Sequence, residues 1–251
     1  MDKRFRGFHL KSLPTRPSAT SRQGFARPGL ALALTLVIVC GLLCAIAEAS
    51  IYDDFSGDVI DNSKWTISGR PGLFSQSKGR LRFFCKKDEG QSLVSTASFG
   101  AGFFRIEFYD FYSTNDAPAG RGKGSFAALG LGPRDNYVRI LRGRVSTGGY
   151  FEANHFVNNS LQLWYLPTMT GSGQLGLYYD DSTVSCFYNN GLDPEKGWQR
   201  LGVMITPGWK TDPQLFISGY PGPSGRTSFT AANVEYMPIP LPPALLKKLE
   251  R

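Results

Sequence analysis

The chain has 251 residues, of which 41% are hydrophobic and 13% aromatic, so it can form a large core and is not an intrinsically disordered protein. Its 29 glycines and 16 prolines favour short strands joined by tight turns over long helices. The formal net charge is +8, but residues 1–50 hold seven basic and two acidic side chains, which leaves only +3 on the remainder and argues against a nucleic-acid-binding surface on the folded domain.

Residues 1–49 combine a basic stretch with Gly29–Ala47, a run of 19 residues without a charged side chain. A positive flank before an apolar run is typical of export, and the small residues Ala47 and Ala49 fit a cleavage site. The run is also long enough to cross a bilayer once, since about 20 apolar residues are needed. We therefore expect a signal peptide or an anchor helix, and a protein that is secreted or membrane-anchored with its domain on the extracytoplasmic side.

The chain after Ser50 has β-strand patterns almost throughout. In the predicted strand Gly102–Ser113, alternation predicts that Phe104, Ile106 and Phe108 face the core. Ten further strands are predicted between turn signals: Leu81–Phe84, Gln91–Ala97, Ser125–Leu131, Asn136–Val145, Ser160–Leu166, Gln174–Tyr179, Thr183–Tyr188, Trp198–Ile205, Gln214–Gly219 and Thr227–Tyr236. So many short strands predict one all-β domain over residues 51–236, a jelly-roll sandwich of two antiparallel sheets.

Residues 237–251, MPIPLPPALLKKLER, differ from the rest of the chain. Proline has no N–H to donate to a sheet ladder, so this segment cannot continue a central strand. Its final residues have the composition of one or two helical turns. We expect an exposed, Pro-rich C-terminal tail.

Cys85 and Cys186 are the two cysteines of the predicted domain. In an oxidising compartment an even pair predicts a disulfide. Closing a loop of about 100 residues would stabilise the fold by up to ~4.7 kcal/mol in the chain-entropy model. Two separate buried thiols are the alternative.

The stretch IYDDFSGDVIDNSKW at Ile51–Trp65 resembles the first strand and turn of concanavalin A-like lectin and glucanase domains, which include laminarin hydrolases and laminin-G-like modules. The segments GQLGLYYDDSTVSCFYNNG and GWQRLGVMI resemble the closing strands of the same fold. The resemblance covers roughly residues 51–236, most of the chain after the apolar run, and implies a carbohydrate or a glycosylated surface as partner. Trp65 supplies a large apolar wedge, and Asp61 and Asn62 suit a turn before it.

Glucanases of this family carry a catalytic strand with the pattern Glu-x-Asp-x-x-Glu. The segments GFFRIEFYDF, GSFAALGLG and NYVRILRGR occur here in the family's order, and the three catalytic positions fall on Tyr137, Arg139 and Arg142. A retaining hydrolase needs one carboxylate as nucleophile and one carboxyl group as proton donor, about 5–5.5 Å apart. A phenol and two guanidiniums can act as neither. The resemblance therefore implies a domain without glucanase catalysis, and we assign no catalytic residue.

We accordingly expect an exported lectin-like protein that is not an enzyme. A divergent glycan hydrolase or lyase with relocated catalytic groups is one alternative. A structural protein of the cell envelope that makes protein contacts is the other.

The predicted binding site follows from alternation along the strands. Positions opposite the core gather aromatic, charged and amide groups, which a sugar site requires, and Leu161, Leu163 and Tyr165 are assigned to the core. The predicted carbohydrate-binding residues are Arg105, Glu107, Tyr109, Tyr137, Arg139, Gln162 and Trp164. The arginines among them suit an anionic glycan.

Domains of this family often hold a structural Ca²⁺ between their first and last strands. By that resemblance Asp54 and Asn233 are candidate ligands, together with backbone carbonyls. Ordinary turn chemistry is the alternative explanation for both residues. We expect no other cofactor.

Overall fold

A computed structural model describes residues 50–86, 89–120, 123–158, 160–193 and 197–249. Numbered along the chain, its strands are β1 Ser50–Asp53, β2 Trp65–Gly69, β3 Phe74–Ser77, β4 Arg80–Cys85, β5 Gln91–Ser98, β6 Gly102–Ser113, β7 Ser125–Leu131, β8 Asn136–Val145, β9 Gly148–Val157, β10 Ser160–Pro167, β11 Gly173–Tyr179, β12 Val184–Asn189, β13 Gln199–Ile205, β14 Gln214–Tyr220 and β15 Thr227–Pro238. One helix, α1, spans Pro243–Leu249.

The predicted signal peptide or anchor at residues 1–49 lies outside the described residues. Within the ranges that the structure covers, no helix is long and apolar enough to cross a membrane.

The strands form two antiparallel sheets. The eight-stranded sheet has the order β13-β12-β11-β6-β15-β4-β3, and β1 also pairs with β15. The seven-stranded sheet has the order β10-β9-β8-β7-β14-β5-β2. The predicted all-β sandwich of two antiparallel sheets is confirmed.

The core lies between the sheets because alternate side chains of each strand point into the shared space. Phe104, Ile106 and Phe108 of β6 belong to one buried cluster with Val138 and Ile140 of β8, as the alternation predicted. Full burial of a side chain of this size contributes about 1.5–3 kcal/mol. The strand periodicity therefore determines which side chains face the core and, by exclusion, which lie on the outer faces of the sheets.

The opening segment folds around Trp65, whose ring is buried in the core. Its indole Nε1 donates a hydrogen bond to Asp53 Oδ2 at 2.6 Å, and Asp53 Oδ1 accepts one from the Phe55 N–H at 2.9 Å. The Asp61 carbonyl accepts from the backbone N–H groups of Lys64 and Trp65, which confirms the predicted turn. The quoted opening motif therefore has a structural role.

The C-terminal segment is not an exposed tail, and this expectation is wrong. Leu249 of α1 is only 4% exposed. With Leu241 and Met237 it packs on Phe103 and Trp198, on the outer face of the eight-stranded sheet. The burial of apolar side chains against that face offsets the conformational entropy that is lost when the segment becomes ordered.

The predicted disulfide does not form, and both cysteines are buried thiols. Cys85 lies on β4 and Cys186 on β12, with three strands of the same sheet between them. At about 4.8 Å per strand their backbones are about 19 Å apart, whereas a disulfide requires Cα atoms within about 7 Å. The alternative of two separate thiols is the correct one.

Candidate functional site

The predicted carbohydrate-binding residues are divided between the two sheets of the sandwich. β6 belongs to the eight-stranded sheet, whereas β8 and β10 belong to the seven-stranded sheet. A side chain that points away from the core on one sheet is therefore on the opposite side of the molecule from its counterpart on the other. The prediction that all seven share one surface is wrong.

On the eight-stranded sheet, the β6 residues form a hydrogen-bonded network. Arg105 makes a bidentate ion pair with Glu235, with N–O distances of 2.6 and 2.8 Å. The Tyr109 hydroxyl donates to Glu107 Oε2 at 2.6 Å, and Asn233 Nδ2 donates to the same oxygen at 3.0 Å. Burial, and then Glu107, raise the pKa of Tyr109 to about 12. These side chains are bound to one another rather than directed into a groove.

The proposed calcium ligands have other partners. The Asn233 amide donates to Glu107, and Asp54 Oδ1 accepts the Ser56 N–H at 2.9 Å, as is usual in a turn. The residues that the structure describes contain no group of three or more His, Cys, Asp or Glu side chains placed to hold a metal ion.

On the seven-stranded sheet, β8 pairs with β7 and β9 without a register shift, so positions 137, 139 and 141 share the outer face. Tyr137 stacks on Phe156, with ring centroids 5.1 Å apart. Arg139 lies next to it, with its guanidinium 4.4 Å from the centre of the Phe126 ring. Arg142 points the other way, into the space between the sheets, and contacts Phe111 of β6.

β10 has the opposite orientation to the one predicted. Trp164 packs against the core, and a side chain on Gly202 of β13 would meet its indole at 2.8 Å. Gln162 alternates with the groove-lining residues and is exposed. Leu161, Leu163 and Tyr165, assigned to the core by their apolar character, line the outer surface instead. The Trp164 indole of this edge strand therefore points inward, where Gly202 has no side chain and leaves room for it.

Leu161, Leu163 and Tyr165 contribute to a groove of about 640 Å³ on the outer face of the seven-stranded sheet. We call it the β8–β10 groove. Its main side chains are Phe126 of β7, Arg139 and Leu141 of β8, Tyr150 and Glu152 of β9, and Leu161, Leu163 and Tyr165 of β10. The loop before β7 and the β8–β9 hairpin contribute Gly120, Gly124 and Thr147 at its rim.

Two polar side chains line the floor of the groove, Arg139 and Glu152, and the buried side chain of Asn154 links them by hydrogen bonds. Arg139 Nε donates to Asn154 Oδ1 at 3.1 Å, and Asn154 Nδ2 donates to Glu152 Oε1 at 2.7 Å. Among the described residues no hydrogen bond occupies the Arg139 Nη atoms or Glu152 Oε2. Arg139 therefore offers charged hydrogen-bond donors, and Glu152 offers a carboxylate acceptor, close together in the groove.

Tyrosines form the wall of the groove. The Tyr150 ring lies over Gly143, where an added Cβ would come within 2.5 Å of the phenol carbon. Burial, and then Glu152, raise the pKa of Tyr150, so its hydroxyl remains protonated at neutral pH. Tyr165 packs edge-on against Tyr150, with centroids 6.4 Å apart, and is itself 64% exposed. It presents an open aromatic surface beside the polar floor.

The sequence-based interpretation identified Arg139 in this groove and missed its other principal residues. The sequence patterns do not predict β9 as a strand, so the predicted site does not include Tyr150 and Glu152. The signal was present: Tyr150, Glu152 and Asn154 alternate with the buried Phe151 and Ala153. The two glycines at the start of β9 are typical of a connecting loop, because glycine is uncommon in strands.

No family model matches the sequence, and no curated protein matches it either. Solved structures match by fold. A functionally unknown protein from Saccharomyces cerevisiae is 10% identical, with a TM-score of 0.57 over 72% of this chain and 100% of that chain. A laminarinase from Flavobacterium sp. UMI-01 is 12% identical, with a TM-score of 0.54 over 77% of this chain and 100% of that chain.

The β-glucanase of Bacillus licheniformis is 9% identical, with a TM-score of 0.52 over 77% of this chain and 99% of that chain. Identities this low show similarity of fold alone. The domain is a concanavalin A-like sandwich, similar in structure to glucanases and laminarinases.

Proposed function

We propose that this chain is an exported, non-catalytic carbohydrate-binding protein and that the β8–β10 groove is its glycan site. The observation that carries the proposal is the placement of exposed Tyr165 and Leu163 beside Arg139 and Glu152, which the buried Asn154 links, on one concave surface. The apolar run before the domain supports a location outside the cytoplasm.

The chemistry of the groove suits a sugar ring. A pyranose presents an apolar C–H face and an equatorial rim of hydroxyls, so it needs a flat apolar surface and neighbouring hydrogen-bonding groups. Tyr165 and Leu163 provide the first, while the Arg139 Nη atoms and Glu152 Oε2 provide the second. Both kinds of group line the same 640 Å³ groove, which is large enough for a short oligosaccharide.

The absence of catalysis is part of the proposal, and the composition of the groove supports it. Glu152 is the only carboxylate among the groove-lining residues that the structure describes. The outward positions of β8 hold Tyr137, Arg139 and Leu141, and glycoside hydrolysis uses a pair of carboxyl groups on the two sides of the scissile bond. A guanidinium in that place would oppose a transition state that carries positive charge.

Binding of the purified full chain to a panel of neutral β-glucan and acidic oligosaccharides tests the site. We expect Tyr165→Ala to weaken binding about tenfold, because a stacking surface worth about 1.4 kcal/mol is lost. Phe84→Ala is the matched control, since Phe84 is an exposed aromatic residue (49%) on the other sheet, and it should bind like the unaltered protein.

Three outcomes would contradict the proposal. Failure of the folded protein to bind any glycan would favour a structural role at the cell envelope. Accumulation of cleaved product would establish an enzyme, and loss of that product in Glu152→Gln would assign the acid. Equal losses in Tyr165→Ala and Phe84→Ala would place binding elsewhere on the molecule.

A further inference from the structure

A second cavity, of about 270 Å³, opens between the two sheets at the end of the sandwich where β6 and β8 terminate. It is lined by Phe111, Tyr112, Ser113 and Thr114 from the end of β6 and the residue after it, and by Arg142 and Arg144 of β8. We call it the Arg142 pocket. Its lining is mainly polar and its only charged groups among these residues are the two arginines.

Arg142 is a buried cation held by neutral groups. Its side chain is 5% exposed, its Nε donates to the Thr170 carbonyl at 2.8 Å, and Nη1 donates to the Gly143 carbonyl. Its guanidinium lies 4.9 Å from the centre of the Phe111 ring. These contacts fix the orientation of the guanidinium and supply partial negative charge, but none of them neutralises it.

No carboxylate in the described part of the chain lies within 4.0 Å of Arg142 or Arg144. Buried guanidiniums in proteins are normally paired, because desolvation of an unpaired charge is costly. Burial, and then the charge of Arg144, lower the pKa of Arg142 to about 10, so the group still carries its charge at neutral pH. Two adjacent cations thus face one small polar cavity.

The donors that remain are suited to an oxyanion. Arg142 Nη2 makes no hydrogen bond to the described residues, and the more exposed Arg144 stands at the opening. A planar guanidinium binds carboxylate or sulfate oxygens through paired N–H groups, and it is more weakly hydrated than an ammonium group. The hydroxyls of Ser113 and Thr114 lie in the same lining.

We propose that the Arg142 pocket is an oxyanion-binding site that takes a sulfate or carboxylate group. Arg142 is the buried anchor and Arg144 is the second cation at the entrance. Two sources can supply such a group: a dissolved inorganic anion, or the charged substituent of an acidic saccharide. The site lies on the inner side of β8 and is separate from the β8–β10 groove, so it does not depend on the proposed glycan function.

Thermal unfolding of the full chain with sodium sulfate, at about 10 mM or below, tests the site directly. At such concentrations the general exclusion of sulfate from protein surfaces has little effect. We expect a saturable rise in melting temperature of about 2–4 °C that chloride at equal ionic strength does not produce. Uronate and neutral trisaccharides, added in separate samples, distinguish the two sources: a stronger effect of the uronate identifies the saccharide.

Arg144→Gln should weaken the apparent sulfate affinity about tenfold without unfolding the protein, because Arg144 is exposed. Arg134→Gln removes an exposed positive charge at the other end of β8 and should leave the sulfate response unchanged. Arg142→Gln should abolish the response if it folds. A sulfate effect no larger than that of chloride, or equal effects in the Arg144→Gln and Arg134→Gln variants, would overturn the proposal.

Discussion

Asp53 shows how one buried carboxylate organises the start of the domain. It is 4% exposed and accepts hydrogen bonds from the Trp65 indole and the Phe55 N–H, while Lys64 Nζ lies 3.7 Å from it. An ionised carboxylate is tolerated in such a place only when its oxygens are satisfied. The spacing between Asp53 and Trp65 in the opening motif therefore has a physical reason.

At this residue we predict that Asp53→Ala lowers the free energy of unfolding by about 2–3 kcal/mol, because two hydrogen bonds to a charged acceptor are lost and two buried donors remain unsatisfied. Asp53→Asn keeps an acceptor oxygen and should cost less. Urea denaturation of both variants measures the difference. Asp58→Ala, on the exposed part of the same segment, should change stability by no more than about 0.5 kcal/mol.

At the level of single strands, the orientation of β10 has the greatest consequence for the site. A strand has two faces, and a shift of one residue exchanges them completely. Apolar character assigned Leu163 and Tyr165 to the core, but in an edge strand next to a groove such residues can be exposed. Trp164 packs inward because Gly202, on the facing edge strand β13, leaves space for an indole.

We predict that Trp164→Ala destabilises the fold by about 2 kcal/mol, since a partly buried indole is removed from the core. Any glycan affinity of the folded variant should stay within about twofold, because the indole does not line the β8–β10 groove. Gln162→Ala, an exposed change on the same strand, should affect stability little. Loss of binding in Trp164→Ala without loss of stability would show that the indole faces the ligand.

The strands themselves were largely predictable, and the bounds of β6, β7 and β8 agree with those expected from alternation. Local patterns do not reveal which sheet a strand joins, since pairing is set by contacts distant in sequence. For this reason Arg105 and Arg139, each correctly assigned outward, were combined into one surface although they lie on different sheets. The packing of Leu249 on the sheet was missed for the same reason.

For the molecule as a whole, the two sheets are linked beyond the apolar core through Asn136. Its side-chain amide donates to the Pro207 carbonyl at 2.7 Å, and its backbone carbonyl accepts from the Trp209 indole at 2.8 Å. Trp209 in turn packs on Tyr179 of the eight-stranded sheet, with centroids 5.5 Å apart. His155 Nε2 lies 3.1 Å from Asn136 Oδ1 and completes this cluster.

Global stability should therefore depend on the protonation of His155. Burial lowers the pKa of His155 below its ordinary value of 6.5, so below about pH 6.5 the unfolded chain takes up a proton that the folded protein does not. The free energy of unfolding should fall as the pH drops through this range, by at most about 1.4 kcal/mol per pH unit, until the folded protein also binds the proton. Urea midpoints at several pH values from neutral down to about 5.5 measure this pH dependence of stability. The part of it that is due to the imidazole should be absent from His155→Gln. Parallel pH profiles for the two proteins would mean that the imidazole titrates normally and that the Asn136 cluster is open to solvent.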